Sequence, residues 1–482
     1  MAALLVATTL FSQWSFQLDT SFRTSITQRT VNSIIELNDG RLFASGLIRY
    51  SGDLSDRGST ILLPNGERDM EYTGFFGGGR IIPWLNGQFY VPAGLPRRMT
   101  ADGLIDPSFQ ALYDDDYFVP GQTADYHVYP DGRVLISGQH LLRDSLRGYV
   151  GNYNLIWFTN TGYLDTTKMH RRANGPIWEF KELADGKFIC TCSCTQYEGQ
   201  PVSKLFRVHA DGALDTTFQA GVNWGNIYEF LPLADGSFYA AGKYRRTMIS
   251  EDTLYLARFL PSGSMDATFQ PPAFSPLDLP NPFTGAVVTF LYPWEGGRLI
   301  ATGRFLSVNN SERSGICMID DSGNVLDAFD GCGVAPWTYQ NFTYVSIEEI
   351  RPAGEDTLYI CGAYVGFDDC QVNDTLQRFV SRLLVSDLPT TVAPRNLGDG
   401  PVVRVYPNPT RSWVVLTYDQ PTNTATGSIE VKDLSGRQVA SFRMTGTSGQ
   451  QFWDTSKLAQ GTYTIHYQNE GRTVHTERLV IQ

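Results

Sequence analysis

The chain has 482 residues, of which 42% are hydrophobic, 13% aromatic and 18% charged, and its formal net charge is −12. This composition is typical of a strand-rich globular protein and excludes an intrinsically disordered chain. Residues 402–482 hold eight Lys or Arg and six Asp or Glu, so the remainder carries −14. An acidic body without a basic stripe repels phosphate backbones, so we expect no nucleic-acid partner. No run of eighteen apolar residues occurs, so we expect no transmembrane helix.

Residues 1–17 precede the first recognisable pattern. Ala2 to Phe11 form a short apolar run of the length expected of a signal-peptide core. A positively charged segment before this run is missing, because the first basic residue is Arg23. Two interpretations remain open, a truncated signal peptide and a leading strand of the folded protein.

Residues 18–387 repeat one two-part pattern seven times. The first part, which we call the Leu-Asp phrase, is an apolar residue followed by Asp and usually by Ser or Thr. Its copies are residues 18–22, 68–70, 105–109, 164–167, 214–218, 265–269 and 326–329. The second part is a turn pair inside a hairpin, found at Asp39-Gly40, Asn86-Gly87, Asp131-Gly132, Asp185-Gly186, Asp235-Gly236, Gly296-Gly297 and Glu355-Asp356. A fixed period of roughly fifty residues predicts stacked copies of one supersecondary unit.

Each copy predicts three or four antiparallel strands. An apolar run precedes the turn pair, which we expect to form a two-residue hairpin turn with positive φ angles. The second strand ends in glycine in most copies, and a third strand leads into the next Leu-Asp phrase. Four-stranded blades placed radially solve the problem of exposed sheet edges. We therefore predict an all-β fold, a seven-bladed β-propeller with six to eight blades as the range.

Carboxylates recur in two kinds of position. The Asp of the Leu-Asp phrase occurs in almost every copy, so we interpret it as a turn residue that accepts hydrogen bonds from amides two residues on. Four other acids, Asp125, Glu179, Glu229 and Glu349, stand six residues before their turn pairs, where the remaining copies hold Ser33, Arg80 and Phe290. These acids are either solvated charges at strand ends or paired carboxylates suited to acid–base chemistry on a polysaccharide.

Cysteines and histidines give no metal signature. Cys190, Cys192 and Cys194 alternate along one strand, and we interpret Cys190 and Cys192 as small buried hydrophobes. One disulfide is expected among Cys317, Cys332, Cys361 and Cys370 if the protein is exported. The six histidines lack the spacing of metal ligands. We expect no metal, cofactor or catalytic motif.

The composition changes after residue 387. Residues 388–401 have the composition of a linker. Residues 402–482 alternate like the short strands of a small immunoglobulin-like β-sandwich. Within them, Tyr406, Pro407, Asn408 and Pro409 open the segment, and Gly461 and Tyr463 flank Thr462 near its end.

Two resemblances follow from these motifs. The Leu-Asp phrase and the hairpin, as in residues 214–218 and 233–242, resemble the delta-60 type of bacterial β-propeller repeat, which is not tied to one reaction. Residues 402–482 resemble the type A C-terminal sorting domain of the type IX secretion system of Bacteroidota. This resemblance implies that Tyr406, Pro407, Asn408, Pro409, Gly461 and Tyr463 are sorting-motif residues. It also implies the secretion machinery as partner and a location outside the cell or at the outer-membrane surface.

Two functions remain open. The first is a secreted or surface-displayed binding or scaffold propeller without catalysis, whose ligand is a surface glycan or a protein. The alternative is a secreted polysaccharide-acting hydrolase or lyase with its site in the propeller channel. The sequence leaves enzymatic activity undecided, although the absence of catalytic motifs favours the binding module.

Overall fold

A computed structural model of the chain describes residues 14–75, 78–109, 117–247, 249, 252–275, 285–354, 356–387, 402–406, 408, 410, 413–419, 427–433, 436–443, 448–469 and 472–481. The chain divides into two compact units, Met1–Thr390 and Thr391–Gln482. The predicted linker, residues 388–401, and the apolar run at residues 2–11 lie outside the described residues.

The described part of the first unit forms seven antiparallel sheets of three or more strands, which we number in chain order. Sheet 1 comprises Ile26–Glu36, Leu42–Tyr50 and Arg57–Leu62, sheet 2 comprises Ile82–Pro83, Phe89–Ala93 and Leu95–Met99, and sheet 3 comprises Phe118–Val128, Val134–Asp144 and Tyr149–Phe158. Sheet 4 comprises Ile177–Glu182, Phe188–Cys192 and Leu205–Val208, sheet 5 comprises Trp224–Pro232, Phe238–Arg245 and Leu254–Phe259, and sheet 6 comprises Val287–Pro293, Leu299–Arg304 and Ile316–Ile319. Sheet 7 has five strands, Ser346–Pro352, Thr357–Asp368, Asn373–Asp387, Trp14–Leu18 and Gly333–Val334.

Smaller elements lie between consecutive strands within single sheets. Three two-stranded ladders pair Gln196–Tyr197 with Gln200–Pro201, Ser307–Val308 with Ser311–Glu312, and Trp337–Tyr339 with Phe342–Tyr344. Two short 3₁₀ turns, Leu85–Gly87 and Glu295–Gly297, replace the ordinary hairpin turn in sheets 2 and 6.

The Asp-Gly hairpin turns differ from the prediction. The amide of Leu37 donates to the carbonyl of Arg41 at 2.8 Å, and the amide of Gly40 donates to the carbonyl of Leu37 at 3.0 Å. Gly40 has a φ of +80°, whereas Asp39 is not among the residues with positive φ. A two-residue turn of the predicted kind requires positive φ at both positions. The prediction is therefore wrong for the Asp-Gly turns, where the loop has three residues with glycine in the left-handed region. Asn86-Gly87 and Gly296-Gly297 do have positive φ at both positions.

The Leu-Asp phrase occupies the outer edge of the sheet that precedes it. In sheet 5, Phe259 and Met265 form an antiparallel bridge, and the amide of Asp266 donates to the carbonyl of Arg258 at 2.9 Å. The Asp266 carboxylate accepts from the Thr268 amide at 2.9 Å. Equivalent bonds to the residue two positions on occur at Asp19, Asp69, Asp106, Asp165 and Asp215. The interpretation of this Asp as a turn residue is confirmed.

Apolar clusters join each sheet to the next. Leu183 and Ile189 of sheet 4 pack with Phe230 of sheet 5, and similar clusters lie between the other consecutive sheets. Sheet 7 also shares a cluster with sheet 1, in which Tyr359 packs with Ile34. Because the last sheet contacts the first, the order of contacts closes on itself.

The N-terminal strand belongs to the last sheet. Trp14–Leu18 pairs antiparallel with Asn373–Asp387, and Leu18 lies opposite Leu383. The first Leu-Asp phrase therefore completes sheet 7, just as each later phrase completes the sheet before it. Hydrogen bonds between distant parts of the sequence hold the two ends of the unit together.

The second unit contains two antiparallel sheets. One consists of Val402–Tyr406, Trp413–Asp419 and Ser448–Asp454, and the other of Gln438–Arg443, Gly427–Asp433, Gly461–Asn469 and Arg472–Ile481. Val414 and Leu416 of the first sheet pack with Ile429, Ile465 and Leu479 of the second in one buried cluster. The two sheets therefore enclose a common core.

Four of the seven cysteines form disulfides. Cys332 is bonded to Cys370, which is one disulfide within the set of four predicted to contain one. Cys192 is bonded to Cys194, so the interpretation of Cys192 as a simple buried hydrophobe is wrong. The alternation that places two side chains on one face of a strand also brings their sulfur atoms within bonding range once the strand ends. Cys190, Cys317 and Cys361 are free and buried.

Candidate functional site

The first strand of most sheets bends at the repeat position six residues before the turn pair, which holds Asp125, Glu179, Glu229 and Glu349 in four of the copies. The register of strand pairing shifts within Val31–Ser33, Thr123–Tyr126, Ile177–Glu179, Ile227–Glu229, Val288–Phe290 and Ile347–Glu349. A β-bulge of this kind bends the strand and changes the direction in which a side chain points. The bulge therefore sets the direction of the residue six positions before the turn pair.

The second strand does not end at its recurring glycine as predicted, because it continues to Arg245 in sheet 5 and to Asp368 in sheet 7. The glycine instead makes room for the bulge. A Cβ atom at Gly242 would lie 2.2 Å from the carbonyl oxygen of Asn226, and one at Gly362 would lie 2.1 Å from that of Ser346. Contacts this short do not occur between real atoms. The recurring glycine is therefore required by the close approach of the bulged strand.

The residues at the bulge positions meet across the first unit. Arg80 Nη1 lies 2.8 Å from Glu229 Oε2 and 3.6 Å from Glu179 Oε1. The Arg80 guanidinium also lies 5.7 Å from the ring centroid of Phe290. Arg80 precedes sheet 2, whereas its three partners belong to sheets 4, 5 and 6. Arg80 therefore meets side chains of three sheets that do not adjoin it in the sequence. We call the group of residues at this place the central charge cluster.

Glu229 is held by two cations. Its Oε1 lies 3.4 Å from Lys181 Nζ and accepts a hydrogen bond from the Phe230 amide at 3.2 Å, while its Oε2 contacts Arg80. Only 3% of the residue is exposed. Because both oxygens are occupied, Glu229 acts here as the anion that joins sheets 4 and 5 to Arg80.

Glu349 joins sheet 7 to sheet 1. Its Oε1 accepts from Arg351 Nη2 at 2.5 Å, and its Oε2 accepts from Ser33 Oγ at 2.6 Å and from the Ile34 amide at 3.1 Å. Arg351 also donates to the carbonyl of Ile81 at 3.0 Å. The hydroxyl and the acid at equivalent positions of adjacent sheets are therefore hydrogen-bonded to each other.

The cluster shifts the protonation of its members. Burial, then Asp125 and Glu229, raise the pKa of Glu179 well above its usual value. Burial also raises the pKa of Asp125, against the opposing charges of Arg80 and Lys181. Although burial alone would lower it, Glu229 and Glu179 hold the pKa of Arg80 above its usual value. We expect Glu179 to retain its proton at a higher pH than an exposed glutamate.

The charges then come close to balance. Asp125, Glu179, Glu229 and Glu349 face the cations Arg80, Lys181 and Arg351, as the ion pairs and electrostatic contacts of Arg80 and Glu179 indicate. One proton on Glu179 makes the number of negative charges equal to the number of positive charges. A neutral cluster is the state that burial favours, because an unpaired buried charge is costly.

The sequence located the acids of this cluster but not its cations. Glu179 and Glu229 contact one guanidinium nitrogen, so they do converge, yet they converge on a cation rather than on an open apolar channel. Arg80 stands at the same repeat position as the acids. Lys181 and Arg351 each follow an acid by two residues, a spacing that puts both side chains on one face of a strand. That spacing is the signal that could have identified them.

The structure describes four of the six predicted sorting-motif residues, Tyr406, Asn408, Gly461 and Tyr463. Asn408 Nδ2 donates to the carbonyl of Arg478 at 2.5 Å, and the amide of Val480 donates to Asn408 Oδ1 at 2.9 Å. Tyr463 is buried, and its hydroxyl donates to the carbonyl of Ala459 at 2.8 Å. Tyr406 ends the first strand and Gly461 begins another, whereas Pro407 and Pro409 lie outside the described residues.

Within the part of the chain that the structure describes, no group of three or more His, Cys, Asp or Glu is arranged to hold a metal ion. In the same residues, no helix is long and apolar enough to cross a bilayer.

Comparison with known protein families gives one family match in each of the two units. The secretion system C-terminal sorting domain matches residues 404–482. The DUF5122 β-propeller domain, a domain of unknown function, matches residues 183–218 and 233–269. No curated protein sequence matches the chain.

Several solved structures are distantly similar. PorZ, a surface component of the type IX secretion system of Porphyromonas gingivalis, is 12% identical over 92% of this chain and 68% of its own, with a TM-score of 0.34. The extracellular domain of BT4673, a putative hybrid two-component system of B. thetaiotaomicron, is 12% identical over 98% of this chain and 59% of its own, with a TM-score of 0.40. The gluconolactonase XC5397 of Xanthomonas campestris is 11% identical over 77% of this chain and 95% of its own, with a TM-score of 0.33.

The two domain matches agree with the repeats and with the C-terminal motifs read from the sequence. The sorting domain indicates export to the cell surface or the extracellular space and interaction with the secretion machinery. The chain carries DUF5122 β-propeller repeats followed by a type IX secretion system C-terminal sorting domain.

Proposed function

We propose that this secreted protein is a closed, seven-bladed β-propeller that binds a ligand or serves as a scaffold without catalysing a reaction. In this proposal residues 18–387 form the propeller, residues 388–401 the linker and residues 402–482 the sorting domain. The sorting-motif residues Tyr406, Pro407, Asn408, Pro409, Gly461 and Tyr463 contribute to recognition by the secretion machinery.

The pairing of Trp14–Leu18 with Asn373–Asp387 supports seven blades, because it joins the start of the repeats to their end. The apolar cluster shared by sheets 7 and 1 supports the same arrangement. A closed ring of blades leaves only short, protected sheet edges, which is an advantage outside the cell.

The central charge cluster carries the argument for a non-catalytic role. Both carboxylate oxygens of Glu229 and of Glu349 already accept bonds from cations, amides or a hydroxyl. A catalytic carboxylate must be able to reach its substrate in place of such partners. The observation that carries the proposal is therefore the internal pairing of these acids, which favours a structural role in holding sheets together.

A hydrolase or lyase is the second candidate, and one observation favours it. Glu179 combines a raised pKa with a neighbouring carboxylate, Glu229, that is paired with Arg80. Two acids whose environments separate their pKa values can serve as proton donor and charge stabiliser. Glu179 would be the proton donor of such an enzyme.

One experiment tests both functions. The purified protein is incubated with a panel of polysaccharides, and bound carbohydrate and released products are measured together. Binding without new products supports the binding module. Products that disappear in Glu179→Gln, while Glu182→Gln still forms them, would establish the enzyme instead. Export is tested separately, by comparing the cell-surface and medium fractions of the full chain with those of a chain that ends before residue 404.

A further inference from the structure

A groove of about 540 Å³ lies where sheets 4, 5 and 6 adjoin, apart from the central charge cluster. Its described lining includes three cations, Lys204, Lys243 and Arg304, two aromatic rings, Trp224 and Tyr228, and Asn226. Its volume is within the range of small-molecule sites, roughly 300–1,000 Å³. No described residue of the lining is acidic, although the chain as a whole has a net charge of −12.

The two cations of sheets 5 and 6 occupy the same place in the repeat. Lys243 follows Gly242 in the second strand of sheet 5, and Arg304 follows Gly303 in the second strand of sheet 6. The other copies hold Leu47, Leu95, Gln139, Ser193 and Ala363 at this position. A cation here is therefore not part of the repeat, and it occurs in two sheets that adjoin each other.

These cations have few partners of their own. Among the described residues, no ion pair engages Lys204, Lys243 or Arg304, whereas most arginines of the first unit have one. The Nε atom of Arg304 is buried and has no hydrogen-bond partner. Arg304 as a residue lines the groove, so an anionic ligand there would place acceptors beside a guanidinium that no described carboxylate neutralises.

The aromatic residues narrow the class of ligand. Trp224 and Asn226 lie opposite Arg245 and Lys243 in the strand pairing, so the rings, the amide and the ammonium group share one surface. The Arg245 guanidinium lies 5.0 Å from the ring centroid of Trp224, and 41% of Tyr228 is exposed. An exposed aromatic ring packs on the apolar face of a sugar, and an amide donates to or accepts from its hydroxyl groups.

We propose that this groove binds an acidic polysaccharide, with the carboxylate or sulfate groups of the sugar bound by Lys204, Lys243 and Arg304 and a sugar ring packed on Tyr228. The proposal rests on the binding function proposed above and names its ligand class. Location outside the cell brings the groove into contact with such polymers.

Binding is measured with the full chain and three matched probes: polygalacturonate, dextran sulfate and neutral dextran. We expect binding to one or both acidic polymers, weak or no binding to dextran, and a loss of affinity as salt is raised. Lys243→Gln and Arg304→Gln each remove one charged donor and should weaken binding about tenfold. Tyr228→Ala should weaken it while leaving the charge unchanged.

Lys168→Gln is the control, because it removes one positive charge from a half-buried lysine that does not line the groove. Circular dichroism and thermal melting show whether each variant is folded, and the exposed Tyr228 gives a variant that should fold normally.

A preference for carboxylate or for sulfate identifies the source of the anion. Equal binding to dextran, or equal losses in Lys168→Gln and Lys243→Gln, would overturn the proposal. Acidic-polymer binding that inorganic phosphate abolishes at equal charge concentration would reduce the groove to a general anion site. Release of oligosaccharides would contradict the proposed function while leaving the groove assignment intact.

Discussion

Removing the Arg80 charge should destabilise the propeller in a pH-dependent way. Arg80→Met keeps most of the side-chain volume but leaves Glu229, which is 3% exposed, without its 2.8 Å partner. Breaking a buried ion pair from one side typically costs about 3–5 kcal/mol. Lys181 still contacts Glu229, and the Arg80 side chain is 31% exposed, so both facts reduce the cost. We expect a loss of about 2–3 kcal/mol at pH 7.

The sign of the pH dependence follows from the remaining carboxyl groups. Without Arg80, whose charge opposes the rise, the folded-state pKa values of Glu179 and Asp125 rise further above their unfolded values. The folded protein then binds more protons than the unfolded chain, so its stability falls as pH rises through that window. The deficit relative to wild type should therefore be larger at pH 7.5 than at pH 5.

Differential scanning calorimetry of the full chain at these two pH values measures the effect, which should be a decrease of several degrees in the Tm of the propeller. Arg133→Met is the control, because Arg133 and Asp131 form a 2.7 Å ion pair at the surface, with exposed fractions of 34% and 55%. Exposed pairs contribute about 0–1 kcal/mol. The double variant Arg80→Met, Glu229→Gln should recover part of the lost stability. If Arg80→Met melted like Arg133→Met at both pH values, the cluster would not hold the sheets together as argued.

Three further predictions concern stability. Because burial raises the pKa of Glu179, wild-type stability should fall as pH rises above the usual glutamate range, and Glu179→Gln should flatten this part of the plot of Tm against pH. Burial lowers the pKa of His170 to about 4, and its Nδ1 accepts from the Trp157 amide, so stability should fall as pH drops from 6.5 towards 4. His170→Gln should remove up to about 3 kcal/mol of that pH dependence, whereas the exposed His209→Gln should leave the profile unchanged. Gly242→Ala should cost about 2 kcal/mol or more in urea unfolding, because its Cβ would meet the Asn226 carbonyl, and an unchanged midpoint would contradict the role of the bulge.

The strands were predictable because they repeat. The apolar runs recur in each copy and the second-strand glycine in all but the fourth, which holds Cys192, and the domain match confirms β-propeller repeats. The assignment of each Leu-Asp phrase to a particular sheet was not predictable in the same way. The phrase at residues 18–22 precedes the first hairpin in sequence, yet Leu18 pairs with Leu383 of the last sheet. A pairing over that distance depends on closure of the whole unit, which no local pattern encodes.

The turns and the cluster show the limits of local chemistry. Asp-Gly was expected to adopt two positive φ angles, but the Asp39 carboxylate accepts from the Arg41 amide at 3.1 Å and stabilises a longer loop. The four acids were found because they interrupt the repeat, whereas the pairing of Glu179 and Glu229 with Arg80 depends on how sheets 4 and 5 converge with the segment that precedes sheet 2. The disulfide between Cys192 and Cys194 depends on the local end of a strand, which spacing alone does not fix.

The difference between repeat positions that are the same in the copies and positions that vary indicates which residues determine selectivity for a ligand. Residues that recur in the copies, such as Asp266 of the Leu-Asp phrase and Gly242 at the bulge, make contacts within one sheet. Residues that differ between copies at one repeat position make contacts between sheets, as Arg80 does with Glu229. Lys243 and Arg304 also differ from their counterparts, yet they have no described ion-pair partner within the chain. A residue that departs from the repeat and has no ion-pair partner among the described residues is available to an external ligand. In this protein, Lys243 and Arg304 are such residues, and both line the groove between sheets 4, 5 and 6.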